Sequence, residues 1–500
     1  MSQIEKKGYK EALKGSAIFG GVQVFNIIIN LIRGKLIAII LGPEGMGISS
    51  LFNNTLNTVQ QISSLGLNQA IVKEISSSIE TKDDTYYKSV LSVTKLLLLC
   101  TCIIGLVVTI LLSKHLSIWA FGDENYRFHF VVLSIVVFLM VLNNGMISIL
   151  QGARRIKKLA FSSIVGSLVG LIIGIPLYYF YGYDGIVPSM IVLTGSLSVF
   201  YFYCSKDIKF IKSIEIPDNF LPIAKGMISF GLIMMLSLVL GSISNYILIT
   251  YISNEGSLND VGFYQAANSI TNQYSGLIFA AMSMDYFPRL AGVSGDRLQM
   301  CKTVNQQALI TLLAICPIVF FFVTFAPYIV MLLLSDEFIA IEPLLKWLSF
   351  SILLKAISFP MGYVSFAKAD KKVFFWLEGM GNILVLLSNL LFFKMWGIEG
   401  IGISTCFVNS VFIIIYIVLL KRRYGISLSS EYCKYLLPLL VAFVCLITVS
   451  FIADNLFLKA VQLIISVIVA FVSLKTLEEK TDFLVAIKAR LGKNNIIKQE

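Results

Sequence analysis

Four polar side chains, Gln23, Asn26, Asn30 and Arg33, lie in an otherwise apolar stretch near the start of the chain. At about 100° per residue of an α-helix, they form a stripe roughly 80° wide along one face. Hydrocarbon excludes amide and guanidinium groups, so this pattern is typical of a membrane helix whose polar edge faces water. The stripe offers hydrogen bonds and one positive charge, which indicates a cavity that binds a polar molecule.

Two further stripes of amides and hydroxyls follow the same spacing in later apolar stretches. Hydrogen bonds between helices, each worth about 1 kcal/mol, would account for one or two of these side chains. So many of them together predict a hydrated cavity lined by groups that can bind sugar hydroxyls. The stripes are Asn53, Asn57, Gln60, Ser64 and Asn68 in one stretch, and Tyr264, Gln265, Asn268, Asn272 and Ser275 in the other.

Three cations refine the chemistry of this cavity. Arg33 continues the first stripe, whereas Lys35 points about 160° from its centre and is expected to extend toward the outer headgroups. Lys355 lies about 16 Å from the nearer helix end, too deep to reach either interface readily. Asp285 and Glu378 are the acids nearest to it in depth and the candidates for ion coupling. A cavity with Arg33 and Lys355 suits an anionic cargo such as a pyrophosphate.

The composition predicts an all-α polytopic membrane protein. Apolar residues make up 57% of the chain and charged residues 14%, and stretches of about 20 apolar residues, the length that spans a bilayer, recur throughout. We predict about fourteen transmembrane helices. They cover approximately residues 15–40, 47–72, 89–112, 127–150, 159–180, 185–204, 226–251, 261–287, 303–333, 343–366, 374–395, 399–420, 434–453 and 457–475.

Lysine and arginine are distributed unevenly between the loops on the two sides of the membrane, and this predicts the orientation of the chain. Most of the 40 lie on the side that carries both termini, and the opposite loops hold only Lys114, Arg127 and Lys459. By the positive-inside rule both termini are expected in the cytoplasm. The net charge of +11 then reflects membrane topology and contact with anionic headgroups, and no nucleic acid is expected as a partner.

The chain shows no motif for a cofactor, a metal or covalent chemistry. The eight cysteines are scattered and are interpreted as small apolar residues. A phosphate-binding loop, a nucleotide fingerprint and a hydrolase elbow are all missing from the sequence. Residues 1–13 are polar and basic, so we expect no cleavable signal peptide.

An internal repeat predicts the domain organisation. Residues 14–20 (KGSAIFG) and 225–231 (KGMISFG) share their Lys-Gly and Phe-Gly pairs in register, and Gly47 corresponds to Gly262 at the start of the following spans. We predict two six-helix lobes, residues 1–222 and 223–432, that surround a central cavity. Residues 433–500 would add two transmembrane helices and a cytoplasmic tail, packed on one lobe. The spacing of Gly166, Gly170 and Gly174 is interpreted as close helix packing.

Several segments resemble one family of membrane proteins in their order and spacing, over roughly residues 14–420. They are 34–47 (GKLIAIILGPEGMG), 165–170 (VGSLVG), 182–185 (GYDG), 332–338 (LLLSDEF) and 362–369 (GYVSFAKA). The chain is similar in them to the O-antigen and lipid III flippases of the multidrug/oligosaccharidyl-lipid/polysaccharide exporter superfamily. The two C-terminal spans are where the chain departs from that pattern.

The resemblance implies a flippase for undecaprenyl-pyrophosphate-linked oligosaccharide, such as an O-antigen unit for lipopolysaccharide, in the bacterial cytoplasmic membrane. It implies alternating access between two lobes, and it places the family's cationic positions at Lys35 and Lys355. Polysaccharide polymerase machinery would be a possible partner, no cofactor would be needed, and the pseudo-symmetric chain is expected to act as a monomer.

Two other functions compete with that of a flippase. An ion-coupled drug/cation antiporter of the same superfamily would want an acid deep in the first span, where this chain has Arg33. A membrane glycan polymerase or glycosyltransferase would need catalytic groups on a substantial outward loop, but the predicted outward loops are short, the longest near residues 113–126. No enzymatic activity is therefore predicted.

Overall fold

The computed structural model describes residues 3–481, apart from residues 82, 207–216, 218, 369 and 453–455. The predicted cytoplasmic tail beyond residue 481 lies outside the described residues. The described chain is helical, because a helix satisfies every backbone hydrogen bond within one segment. The α-helices are α1 Gln3–Ser63, α2 Leu67–Glu80, α3 Asp84–Phe121, α4 Arg127–Gly152, α5 Ile156–Tyr181, α6 Ile186–Ser205, α7 Phe220–Glu255, α8 Leu258–Gly292, α9 Arg297–Thr324, α10 Ala326–Leu333, α11 Glu342–Ala367, α12 Lys371–Leu419, α13 Ser430–Ile452 and α14 Leu456–Thr481.

Nine helical stretches of the described residues are long and apolar enough to cross a membrane. Three of them, Val24–Ser63, Ile156–Ser205 and Phe375–Tyr424, each cover most of two predicted spans in direct succession. Helices α7 and α8, with 36 and 35 residues, occupy the positions of predicted spans seven and eight. The prediction of an all-α polytopic membrane protein is confirmed.

Short junctions connect these paired spans. In α1 the two helical segments meet at Gly42, with φ 65° and ψ −168°, directly before Pro43. In α12 the junction is at Trp396 and Gly397, where Gly397 has φ 59°. Positive φ is available to glycine without the steric penalty of a Cβ, so each turn needs only one or two residues.

The predicted continuous span at residues 47–72 is wrong in one respect, because the helix breaks within it. Leu65 and Gly66 both have positive φ, and α2 begins at Leu67. A Cβ on Gly66 would lie 2.0 Å from the carbonyl oxygen of Gly231 in α7. Conversely, a Cβ on Gly231 would lie 2.5 Å from the carbonyl oxygen of Leu65. The break therefore lets the backbone of α7 pack directly against the backbone at the α1–α2 junction.

The described residues fall into two compact units. Unit 1 lies within residues 1–265 and 333–337, and unit 2 lies within 266–332 and 338–500. Helix α7 packs against α1, α2 and α3 and so belongs to unit 1. These units are defined by packing, whereas the lobes 1–222 and 223–432 were defined by the repeat, and that division stays a prediction.

The core of unit 2 includes the two C-terminal helices. Both α13 and α14 pack against α9, with Phe320 and Phe443 in contact at 5.1 Å between ring centroids. The buried Lys346 of α11 donates to the carbonyl of Ser450 in α13 at 2.8 Å and pairs with Glu342 at 2.8 Å. The C-terminal helices are therefore joined to α9 and α11 by both apolar and polar contacts.

Asp370 forms hydrogen bonds that hold the segment between α12 and α13 against the start of α12. Its carboxylate caps α12, accepting from the backbone N–H of Val373, and also accepts from Arg423 Nε at 2.7 Å and from the Tyr424 hydroxyl at 3.1 Å. The hydrogen bond from Arg423 holds the pKa of Asp370 below its ordinary value. The carboxylate is therefore charged at neutral pH. It connects the start of α12 to the segment that follows the end of α12.

Replacing Gly66 by alanine tests the backbone contact between α7 and the α1–α2 junction. Alanine disfavours positive φ and would place its Cβ against the Gly231 carbonyl, so we expect the free energy of unfolding to fall by about 2 kcal/mol or more. The measurement is the thermal unfolding midpoint of the purified protein in detergent. Gly241→Ala in α7 is the matched control, because nothing lies within 4 Å of its added Cβ. Equal midpoints for the two variants would contradict the close contact.

Candidate functional site

A cavity of about 550 Å³ lies in unit 2 between α11 and α12. It contains two oppositely charged side chains, Lys355 and Glu378, together with amides, hydroxyls and aromatic rings. Its volume is within the range of small-molecule binding sites. The other lining residues are Ser358, Phe359, Gly362, Tyr363, Ser365, Phe366, Leu377, Gly381, Asn382, Val385, Asn409, Phe412 and Tyr416.

Lys355 projects into this cavity from α11. Its neighbours Leu354 and Ala356 are buried, whereas Lys355 itself is exposed to the cavity space. Its Nζ lies 5.3 Å from the centroid of the Phe279 ring, at the distance of a cation–π contact. The ammonium group is therefore held beside an aromatic face and remains available to an anion.

The two acids predicted near Lys355 have different surroundings. Glu378 lines the same cavity as Lys355, so this cavity contains a negative as well as a positive side chain. Asp285 has an 82% exposed side chain and pairs instead with Arg289 of the next helical turn, at 3.9 Å. Arg289 also donates to Gln307 at 2.9 Å. Of the two candidates for ion coupling, Glu378 is the one that the structure brings into the Lys355 cavity.

The polar wall contributed by α12 was missed by the sequence analysis. Asn382, Asn409 and Tyr416 line the cavity, and Asn409 also donates to the carbonyl of Ser351 at 3.2 Å. Glu378 and Asn382 are four residues apart on one helix face. That spacing is the signal by which Asn382 could have been found from the predicted Glu378, in a span whose polar residues were too few to form an evident stripe.

In the first predicted stripe, some side chains pack against other helices of unit 1 and others are accessible. Asn26 donates to the Ser163 hydroxyl of α5 at 3.0 Å and so joins two helices, whereas Asn30 is exposed. Arg33 is half-buried and lines a small cavity with residues of α5 and α6, including Gly170 and Tyr178. Lys35 is also half-buried, and the side chain of Gln23 lies outside the described residues.

The other two stripes divide in the same way. The exposed members are Asn57 in α1 and Asn272 in α8, and Asn68 is half-buried. The buried members are Ser64, at 4% exposure, Gln60, at 5%, and Tyr264 and Ser275, each at 7%. The remaining amides form hydrogen bonds: Asn53 donates to the Ser49 carbonyl, Gln265 accepts from the Ser50 hydroxyl at 3.1 Å, and Asn268 accepts from Asn272. The exposed amides are the members that a polar cargo could reach.

A neighbouring edge of α1, which the sequence analysis did not single out, binds α7. Asn245 donates to Asn54 at 2.8 Å, and the Ser242 hydroxyl donates to Gln61 at 2.6 Å. On the α8 side of α1, the equivalent repeat residues Gly47 and Gly262 approach closely. A Cβ on Gly262 would lie 2.0 Å from the carbonyl of Pro43, and one on Gly47 would lie 2.0 Å from that of Leu258. Glycine contacts and amide bonds thus join α1 to α7 and α8 in unit 1.

Comparison with known proteins identifies the family. Residues 36–343 match the profile of the family described as polysaccharide biosynthesis protein. The chain belongs to this family. It is also 22% identical over 360 residues to the lipid III flippases of Escherichia coli (strain K12) and Shigella flexneri, an alignment that covers 70% of this chain and 83% of each relative.

Solved structures of the same fold cover most of the chain. A lipid II flippase in an inward closed conformation has a TM-score of 0.69 at 16% identity, covering 93% of this chain and 99% of that one. An inward-facing multidrug resistance transporter has a TM-score of 0.68 at 18% identity, covering 81% and 94%. The fold is that of these membrane transporters.

Cysteine accessibility tests whether the exposed amide Asn30 faces water. In a chain without its native cysteines, we expect Asn30→Cys to react faster with a small hydrophilic thiol reagent than Ile32→Cys. A thiol ionises and reacts in water but not in hydrocarbon. Ile32 is the matched control, since it is 46% exposed on the opposite face of the same helix. Equal labelling rates at the two positions would contradict a hydrated edge on α1.

Proposed function

We propose that this protein is a flippase that moves an undecaprenyl-pyrophosphate-linked oligosaccharide, such as an O-antigen unit, between the leaflets of a membrane. The family membership and the named lipid III flippase relatives support a lipid-linked oligosaccharide as cargo. The observation that carries the proposal is the cavity of about 550 Å³ in unit 2, with Lys355 among amides and aromatic rings. No enzymatic step is required, and the matched proteins are named as flippases and transporters.

Each part of the cargo has a chemical counterpart. In this proposal the pyrophosphate binds to Lys355, because an ammonium group beside an aromatic face is a point charge suited to phosphate oxygens. Asn382 and Asn409 would bind sugar hydroxyls, and Tyr363 and Tyr416 would stack on sugar rings. Glu378 would accept a proton or pair with Lys355 when the anion leaves. Pairing with Glu378 would therefore favour release of the cargo from Lys355.

We infer that transport proceeds by alternating access, with cargo entering from the cytoplasm and the polyprenyl chain remaining in lipid. By the predicted topology, Gly47 and Gly262 lie near the outward ends of their helices. Their contact, together with the Ser50–Gln265 and Asn54–Asn245 bonds, would close the outward side. Opening would exchange these few polar bonds for bonds to water, at modest cost for each bond.

The setting of this function follows from the same proposal. The protein would lie in the bacterial cytoplasmic membrane with both termini in the cytoplasm, as the positive-inside rule predicts. Membrane lipids and the lipid-linked glycan would be its partners, and the polysaccharide polymerase machinery would receive its product. Arg33, Lys35 and the exposed amides of unit 1 would supply further contacts to the headgroup.

An ion-coupled multidrug or cation antiporter is the second candidate. It is favoured by the TM-score of 0.68 with a multidrug resistance transporter, nearly equal to that with the lipid II flippase. Fold similarity at this identity does not separate the two functions. Lys355 and Arg33 favour the flippase, since a cationic drug would be repelled by both.

A translocation assay with purified protein tests the function. Proteoliposomes would carry a labelled polyprenyl-pyrophosphate oligosaccharide, and an impermeant reagent would report its leaflet. Wild type is expected to translocate the lipid, and Lys355→Ala is expected to lower the rate roughly tenfold or more, because a hydrogen bond to a charged group contributes about 1.5–3 kcal/mol. Arg33→Ala, assayed alongside, reports whether unit 1 contributes to cargo binding.

The matched control for this assay is Lys394→Ala, which removes the same charge from an exposed position of α12 outside the cavity lining. Similar rates for Lys355→Ala and Lys394→Ala would remove Lys355 from the site. Failure of wild type to move the lipid under an ion gradient, together with export of a cationic dye, would replace the flippase by the antiporter.

A reversible cross-link tests alternating access. Ser50→Cys and Gln265→Cys place two thiols where the native side chains are in hydrogen-bond contact. Oxidation is expected to abolish translocation and reduction to restore it, if α1 and α8 must separate at this end. The same treatment of each single variant is the control. Full activity of the cross-linked protein would exclude opening at this interface.

A further inference from the structure

A second polar cavity, of about 650 Å³, lies in unit 2 where α13 and α14 pack against α9. Three cations line it, Arg289 of α8, Lys302 of α9 and Lys480 of α14, against one lining acid, Glu431 of α13. It shares no lining residue with the Lys355 cavity. The proposed transport cycle leaves it without a role.

Some of the charged side chains in this cavity have ion-pair or hydrogen-bond partners, and Lys302 does not among the residues that the structure describes. Glu431 pairs with Lys480, so the single lining carboxylate is already neutralised. Arg289 is shared between Gln307 and the exposed Asp285. Lys302 is exposed and has no ion pair or hydrogen bond with any residue that the structure describes. The cavity therefore carries excess positive charge, centred on Lys302.

The cavity lies at the boundary of the apolar spans. The candidate spans Arg297–Thr324 and Ser430–Phe451 begin beside it, and Phe457–Lys480 ends beside it. Lys302 of α9 and Lys480 of α14 thus lie at the depth where lipid headgroups lie. Leu298, Leu309 and Ile310 provide an apolar lining next to these cations.

The wall of the cavity is fixed by hydrogen bonds. Asn305 donates to the Ser427 carbonyl at 2.9 Å and accepts from the backbone N–H of Ser429 at 2.7 Å. Arg297 donates to the carbonyl of Gly425 at 2.7 Å. These bonds hold the segment between α12 and α13 against α9, so the cavity is preorganised for a ligand.

We propose that this cavity binds the phosphate headgroup of an anionic membrane lipid, beside the contact of the C-terminal helix pair with α9. The phosphate would contact Lys302, Arg289 and the Gln306 amide, and the acyl chains would follow the apolar lining into the bilayer. A lipid is favoured over a free phosphate because cations and apolar side chains lie side by side at the membrane boundary. By the predicted topology, the lipid belongs to the cytoplasmic leaflet.

The test is lipid binding to the full-length protein in detergent, measured by native mass spectrometry with phosphatidylglycerol. Wild type is expected to retain phosphatidylglycerol in preference to phosphatidylcholine. Lys302→Gln is expected to lower the phosphatidylglycerol affinity about fivefold, the effect of one lysine at an anionic headgroup. The readout requires no transport, so its failure is distinguishable from failure of the flippase assay.

Lys88→Gln is the matched control, because it removes an exposed lysine from the same predicted side of the membrane but does not line this cavity. An unchanged affinity in this variant, with the loss in Lys302→Gln, supports the site. Equal losses in both variants would overturn it, as would equal retention of phosphatidylcholine by wild type. Displacement of the lipid by millimolar inorganic phosphate would reassign the cavity to a free anion.

Discussion

The cost of an unsatisfied polar group in hydrocarbon is the constraint on which the rest of the structure depends. It forces the backbone into helices, and it favours polar side chains that either form a hydrogen bond within the protein or face water. Asn26 and Asn54 have partners on α5 and α7, whereas Asn30, Asn57 and Lys355 are exposed. The first group holds helices together, and the second defines the surfaces at which a hydrated cargo can be bound.

Glycines determine which helices can meet closely enough to form these bonds. The pairs Gly66–Gly231 and Gly47–Gly262 bring backbones together where any Cβ would collide with a carbonyl oxygen. In α5, Gly166 and Gly170 similarly face the backbone of α6, which agrees with the packing interpretation of their spacing. A contact made of glycines and single amide bonds is tight yet contains few interactions, which suits the opening and closing that our proposal of alternating access requires.

Two cations of unit 2, Lys355 and Lys302, lie at different distances from the ends of the apolar spans. Lys355 lies within α11 and lines the cavity assigned to the cargo, whereas Lys302 lies where the apolar part of α9 begins. The C-terminal pair α13 and α14 packs on α9 and lines the second cavity only. In our proposal the C-terminal pair therefore adds a lipid-binding site, while the cavity between α11 and α12 has no lining residue from this pair.

The sequence by itself determined the membrane class and the approximate positions of the apolar stretches, because hydropathy depends on local composition, and it singled out Lys355 as a candidate from the cost of burying a charge. It did not reveal that Gln265 bonds Ser50, that Asp285 pairs with Arg289, or that Asn382 and Asn409 complete the Lys355 cavity. Helical periodicity shows which residues share a face, but not which helix that face meets. Only the tertiary structure decided this, because the partners of α1 are set by glycine contacts, such as Gly47 with Gly262, between segments far apart in the chain.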